Sequence, residues 1–110
     1  MGIATNKVKS AADKLNEIYF EGLIDEVAGV EDGIIPKPDR CMIDNLMKRL
    51  NATTDETLYV GDSQVDVATA RNTGLDMVAV LWGFRTRKEL EESGAMVFID
   101  DPMEILDKVL

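Results

Sequence analysis

At 110 residues the chain can form one small domain with a real core and little spare stability. Its formal net charge of −9 argues against nonspecific nucleic-acid binding and anionic membranes, and no apolar run nears the ~20 residues that cross a bilayer. Cys41 is the only cysteine and there is no histidine, which excludes an internal disulfide, a multi-cysteine metal site and a histidine-activated Cys41 nucleophile.

The opening MGIATNKVKS is too polar for a secretory signal, so a cytoplasmic location is expected. Gly2-Ile3-Ala4 reads as a short strand. From about Lys7 to Tyr19, Val8, Ala11, Ala12, Leu15, Ile18 and Tyr19 share one helical face. Glu26 to Val30 predicts a second strand and Gly33 a turn. Pro36 and Pro38 bracket Lys37 in extended backbone, with Pro38 suited to the first turn of a helix that ends near Leu50. The inner stripe of that helix is Met42, Ile43, Leu46, Met47 and Leu50, and Asn51 suits its stop. Thr57 to Val60 predicts a buried strand, Gly61-Asp62-Ser63 a turn, and Gln64 to Asn72 a helix that ends before Gly74.

Met77 to Leu81 is the next strand, followed by the loop Trp82-Gly83-Phe84-Arg85 and a helix from Arg87 to Ser93 capped by Thr86. Met96 to Ile99 and a short helix carrying Met103, Leu106 and Val109 complete the pattern. Alternating strands and helices predict an α/β fold with a mostly parallel sheet, five strands and five helices. Met42, Met47 and Met103 read as core filler. Trp82 and Phe84 either pack their loop or line a substrate entrance, and Arg85 reads as solvated.

In such sheets ligands bind at the carboxyl ends of the strands, where Thr5-Asn6, Lys37, and Asp62 with Ser63 and Asp66 fall here. Asp62 and Asp66, at i and i+4, face one side of the strand–helix turn. The pair suits a hard cation such as Mg²⁺, or else Asp62 caps the helix and Asp66 favours its dipole. Thr5 suits a phosphate cradle at a helix start, or an ordinary cap. Lys37 suits a phosphate oxygen or clustered carboxylates, or plain solvent.

Together, ATNK after an apolar strand, KPD before a helix, and VGDSQVDVATARNTG resemble the later motifs of the haloacid dehalogenase superfamily, with phosphoglycolate-phosphatase-like members most similar. The resemblance implies a three-layer, Rossmann-like parallel sheet over residues 1–110, a single partial core domain truncated at its N-terminus. It also implies a Mg²⁺-dependent hydrolase of small phosphorylated molecules, with Mg²⁺ bound weakly or not at all by the isolated chain. On the matching positions, Thr5 would hydrogen-bond the phosphoryl group with Asn6 assisting, and Lys37 would neutralise charge on it. Asp62 would ligate Mg²⁺, and Asp66 would support the metal's waters or Lys37. In such enzymes an aspartate attacks phosphorus, a second aspartate acts as acid/base, and water hydrolyses the aspartyl-phosphate.

The first motif, Asp-x-Asp after a core strand, is absent from this sequence, as is the helical cap that follows it. Two expectations follow: the isolated chain does not turn over phosphate esters, and the sheet lacks its central strand. The strands ending at Thr5 and Val60 should then pair with each other directly, or associate with another copy or an N-terminal complementing segment. The alternative is a non-catalytic binding or assembly module of the same fold.

Overall fold

A computed structural model describes residues 1–20, 22–83 and 85–109, in which five strands alternate with five α-helices. The chain divides into two compact units, Met1–Thr53 and Thr54–Leu110. All strand pairs are parallel, as the βαβ pattern of the sequence predicts.

In the first unit, β1 (Gly2–Val8) pairs with β2 (Glu26–Val30), connected by α1 (Lys9–Tyr19) and followed by α2 (Cys41–Leu50). Ala4 pairs with Ala28 but Val8 with Val30, so four steps along β1 match two along β2. The extra residues bulge out at positions 5–7. This corrects the expected boundaries: the strand does not stop at Thr5, and the helix begins at Lys9 rather than Lys7. Gly29 makes the bulge feasible, because a Cβ there would lie 2.9 Å from Lys7 O and 2.8 Å from Lys9 Cα. The expected inner face of α1 is buried only at Ala12, whereas Tyr19 is 71% exposed.

Helix α2 packs as predicted, with Met42, Ile43 and Leu46 buried against Ala28 and the partly buried Ala4, Val30 and Leu50. Asn51 ends it in the left-handed region, at φ 54°, its N–H bonded to Lys48 O. Pro38 does not sit in the first helical turn. It follows a cis Lys37–Pro38 peptide in a turn closed by the Asp39 N–H on Pro36 O at 3.1 Å. Asp39 Oδ1 then accepts the Cys41 N–H at 2.9 Å, so the helix starts at Cys41, which is half-buried.

The second unit orders its strands β3 (Leu58–Gly61), β4 (Asp76–Val80) and β5 (Phe98–Ile99), each a residue or two off the predicted limits. Helices α3 (Gln64–Thr73) and α4 (Arg87–Glu92) make the crossovers, and α5 (Ile105–Val109) closes the unit. Strand alternation divides the core. Ala79 faces Val67 of α3 and Leu90 of α4, whereas Val78 and Val80 pack with Ile99, Leu58 and Ile105. Gly74 terminates α3 at φ 72°, and Thr86 caps α4 in a full capping box with Glu89. Met103 is no core filler. It stands 66% exposed in the 3-10 turn Pro102–Glu104, whereas Met42 is fully buried and Met47 half-buried.

The ladders form a two-stranded sheet β1-β2 and a three-stranded sheet β3-β4-β5. The strands expected to pair with each other directly, or to associate with another copy or segment, are β1 and β3. Each of the two strands takes its βαβ neighbour along one edge and has no ladder partner on the other among the described residues.

Candidate functional site

The predicted site residues fall into two groups, one in each unit. In the first, residues 5–7 form the β1 bulge, so Thr5 does not open a helix. Its Oγ1 accepts the Lys7 N–H at 3.2 Å, while α1 begins four residues later without a side-chain cap. Both ends of the Asn6 amide are committed to the main chain of Lys37. Nδ2 donates to Lys37 O at 3.0 Å, and Oδ1 accepts the Lys37 N–H at 2.9 Å. The Lys37 ammonium in turn donates to Ala4 O at 3.2 Å. Thr5, Asn6 and Lys37 are therefore brought together by the bulge and the turn at 36–39. Asn6 acts here by holding the segment that bears the lysine.

In the second unit the Gly61-Asp62-Ser63 turn gives its two carboxylates unequal surroundings. Ser63, not Asp62, caps α3, its Oγ accepting the Asp66 N–H at 3.3 Å. Asp66 is only 7% exposed and its carboxylate is heavily used. Oδ2 accepts the Asp62 N–H at 3.0 Å and the Ser63 hydroxyl at 3.2 Å, and Oδ1 accepts the Tyr59 hydroxyl at 2.8 Å. A carboxylate offers about four lone-pair positions, so few remain for a ligand. Burial pushes the Tyr59 phenol well above its ordinary range and the negative Asp66 adds to the shift, so Tyr59 stays a donor.

Asp62 is the counterpart: half-buried, with no hydrogen bond to its carboxylate among the described residues. Two glycines make room for the pair. A Cβ at Gly61 would lie 2.6 Å from Asp66 Cγ, and one at Gly83 would lie 2.5 Å from Asp62 Oδ2. Both are close approaches that only glycine permits. No group of three or more His, Cys, Asp or Glu gathers around a metal position among the described residues. The donor chemistry still fits a hard cation, because Mg²⁺ takes one or two carboxylates and keeps several waters. Asp62 would be such a ligand, with Asp66 holding the turn behind it.

The loop after β4 borders this turn. Trp82 is 50% exposed, so it does not pack the loop as a buried anchor, and Phe84 lies outside the described residues. Arg85 is exposed but not merely solvated, since its Nε donates to Gln64 Oε1 at 2.8 Å. Glu89 is held below its ordinary carboxyl range by its Thr86 bonds, with Gln64 and Arg85 contributing less.

The sequence profile of haloacid dehalogenase-like hydrolases matches residues 1–80. The chain belongs to that family. Phosphoglycolate phosphatase of Rhodospirillum rubrum is 35% identical over 104 residues, covering 92% of this chain and 42% of the relative. Pyrophosphatase PpaX of Bacillus mycoides is 28% identical over 109 residues, covering 96% of this chain and 50% of that protein. A crystal structure from Lactobacillus delbrueckii subsp. bulgaricus, provisionally named phosphoglycolate phosphatase, superposes with a TM-score of 0.95 at 36% identity. It covers 99% of this chain and 46% of that one. This haloacid dehalogenase-like chain thus spans half or less of the length of these relatives, and its α/β parallel-sheet fold is theirs.

Around the haloacid dehalogenase-like turn, sequence reasoning found both carboxylates but missed the contacts made by Tyr59, Gln64, Gly83 and Arg85. Tyr59 carried a signal: in a strand it alternates with Leu58 and Val60, and a phenol needs a polar partner when buried. The remaining three depend on which loops meet, which spacing along the chain does not encode.

Proposed function

We propose that this chain carries the later part of a Mg²⁺-dependent phosphomonoester hydrolase core, phosphoglycolate-phosphatase-like, acting on a small phosphorylated molecule in the cytoplasm. The observation that carries this reading is the inequality of Asp62 and Asp66. One carboxylate is committed to holding the strand–helix turn, and the other has no hydrogen bond among the described residues. A purely structural turn has no use for the second. The 35% identity to a phosphoglycolate phosphatase supports the substrate class. No described helix is long and apolar enough to cross a membrane.

In this reading Thr5 hydrogen-bonds the phosphoryl group, Lys37 offsets its negative charge, and Asn6 assists by fixing the Lys37 main chain. Asp62 is one ligand of Mg²⁺, which supplies charge stabilisation at the phosphoryl oxygens when bound. Asp66 keeps Asp62 in place. The attacking aspartate and its acid/base partner come from residues other than these 110, on a complementing segment that pairs with an unpartnered sheet edge. The nucleophile's carboxylate oxygen bonds to phosphorus as the ester P–O bond breaks, the leaving alcohol takes the acid's proton, and water later releases phosphate.

The test is hydrolysis of p-nitrophenyl phosphate with Mg²⁺ by the purified chain, beside Asp62→Asn as a contamination control. Neither should show turnover, and adding a segment with the strand-Asp-x-Asp motif should restore it. Turnover by the chain alone that Asp62→Asn abolishes refutes the assignment of the nucleophile. A segment that binds without restoring activity favours the non-catalytic module.

A further inference from the structure

After β4, the described residues Gly83 and Arg85 meet the Asp62 turn at two points with matching spacing. Gly83 lies against Asp62, where a Cβ would stand 2.5 Å from Oδ2 and 2.7 Å from the Asp62 Cβ. Two residues further along each segment, Arg85 Nε donates to Gln64 Oε1 at 2.8 Å. Gln64 Nε2 continues the chain to Glu89 Oε2 at 3.4 Å. The other Glu89 oxygen accepts the Thr86 N–H at 3.3 Å and its hydroxyl at 3.1 Å. A polar chain Arg85–Gln64–Glu89 therefore joins the first residue of α3, the loop and the first turn of α4. Asp66 is oriented by three hydrogen bonds, whereas the Asp62 carboxylate has none among the described residues and leans on the Gly83 backbone.

We infer that Gln64 and Arg85 are positioning residues, whose mutual bond holds the Gly83 backbone against Asp62 and so sets the direction of the Asp62 carboxylate. The inference rests on the reading of Asp62 as a cation ligand. The bond is exposed at Arg85, so its loss should leave the fold intact and appear as misdirection of a neighbour. Gln64→Glu preserves the acceptor for Arg85 and makes that bond charge-assisted, while giving up the Nε2 bond to Glu89. It separates the bond itself from the mere presence of a side chain.

The experiment measures Mn²⁺ binding to the 110-residue chain from the free-ion paramagnetic resonance signal, with circular dichroism to confirm folding. One lost hydrogen bond predicts about fivefold weaker binding in Gln64→Ala and in Arg85→Ala. The double variant should lose no more than either single, because both remove the same bond. Gln64→Glu should keep at least the parental affinity, with its added charge contributing, so the metal-free resonances separate the bond from the charge. Additive losses in the double variant, or Gln64→Glu falling with Gln64→Ala, overturn the inference. The amide resonances of Asp62 and Gly83 in the metal-free chain give a second readout. They should shift together in both alanine variants and return in Gln64→Glu. If the parent chain binds no Mn²⁺, as one ligand without its complementing segment allows, these resonances alone decide, with unmoved resonances refuting the clamp.

Discussion

Asp66→Ala takes one acceptor away from three donors at once: the Tyr59 hydroxyl, the Asp62 N–H and the Ser63 hydroxyl. A bond to a carboxylate contributes ~1.5–3 kcal/mol net when the donor is left buried without it. The Asp62 and Ser63 donors sit half-buried at a turn where water can return, so they belong at or below the lower end of that range. Tyr59 belongs higher. The total is about 4 kcal/mol, a large share of the ~5–15 kcal/mol that hold a domain together. Asp66→Asn is the control. Its amide oxygen can still accept from Asp62 and Ser63 while its NH₂ faces a Tyr59 hydroxyl that can turn to accept, for a loss of about 1 kcal/mol. Urea unfolding followed by Trp82 fluorescence reports the same unit, and a loss of 4 kcal/mol lowers the midpoint by about 2 M. If Asp66→Ala unfolds within ~1 kcal/mol of the parent, or Asp66→Asn is as damaging as Ala, then Asp66 does not hold this turn.

The Tyr59 phenol has a higher pKa folded than unfolded, chiefly through burial. Its contribution is fully present below the unfolded value near 10 and is lost as pH rises beyond it. Urea midpoints between pH 8 and 11 should therefore fall more steeply for the parent than for Tyr59→Phe; equal slopes would contradict the shift. Asn6→Leu removes both side-chain bonds to the Lys37 main chain, and exchange of the Lys37 amide should speed up about tenfold by hydrogen-exchange NMR. Unchanged exchange would show that the turn at 36–39 keeps its shape without Asn6.

The parts of this fold legible in the sequence are those fixed by local chemistry. Asn51 and Gly74 stop their helices because each adopts the left-handed conformation a helix end requires. Thr86 and Glu89 announce a capping box. Apolar periodicity placed the five strands and five α-helices within a few residues, though not the 3-10 turns. The errors lie where tertiary contacts overrule that chemistry. The β1 bulge exists because Val8 regains the ladder at Val30 and Gly29 leaves room beside it, which nothing in ATNKV forecasts. Pro38 looked like a helix opener, but Asp39 takes the Cys41 N–H and moves the start past it. At the site, the motif GDSQVD yielded both carboxylates and left their roles undivided. The division between them comes from Tyr59, seven residues before Asp66, and from a loop some twenty residues beyond Asp62.

Gly61 and Gly83 each share a single volume with a carboxylate, Asp66 and Asp62 respectively. Neither glycine can change by itself, since even one methyl group would enter space its acidic neighbour occupies. In a randomised library, alanine at position 61 should survive chiefly on backgrounds where position 66 has shrunk, and alanine at 83 where 62 has. Positions 61 and 66 would then be inherited as one locus, and so would 62 and 83. A selection reading each position singly would report four invariant residues where the molecule contains two indivisible pairs.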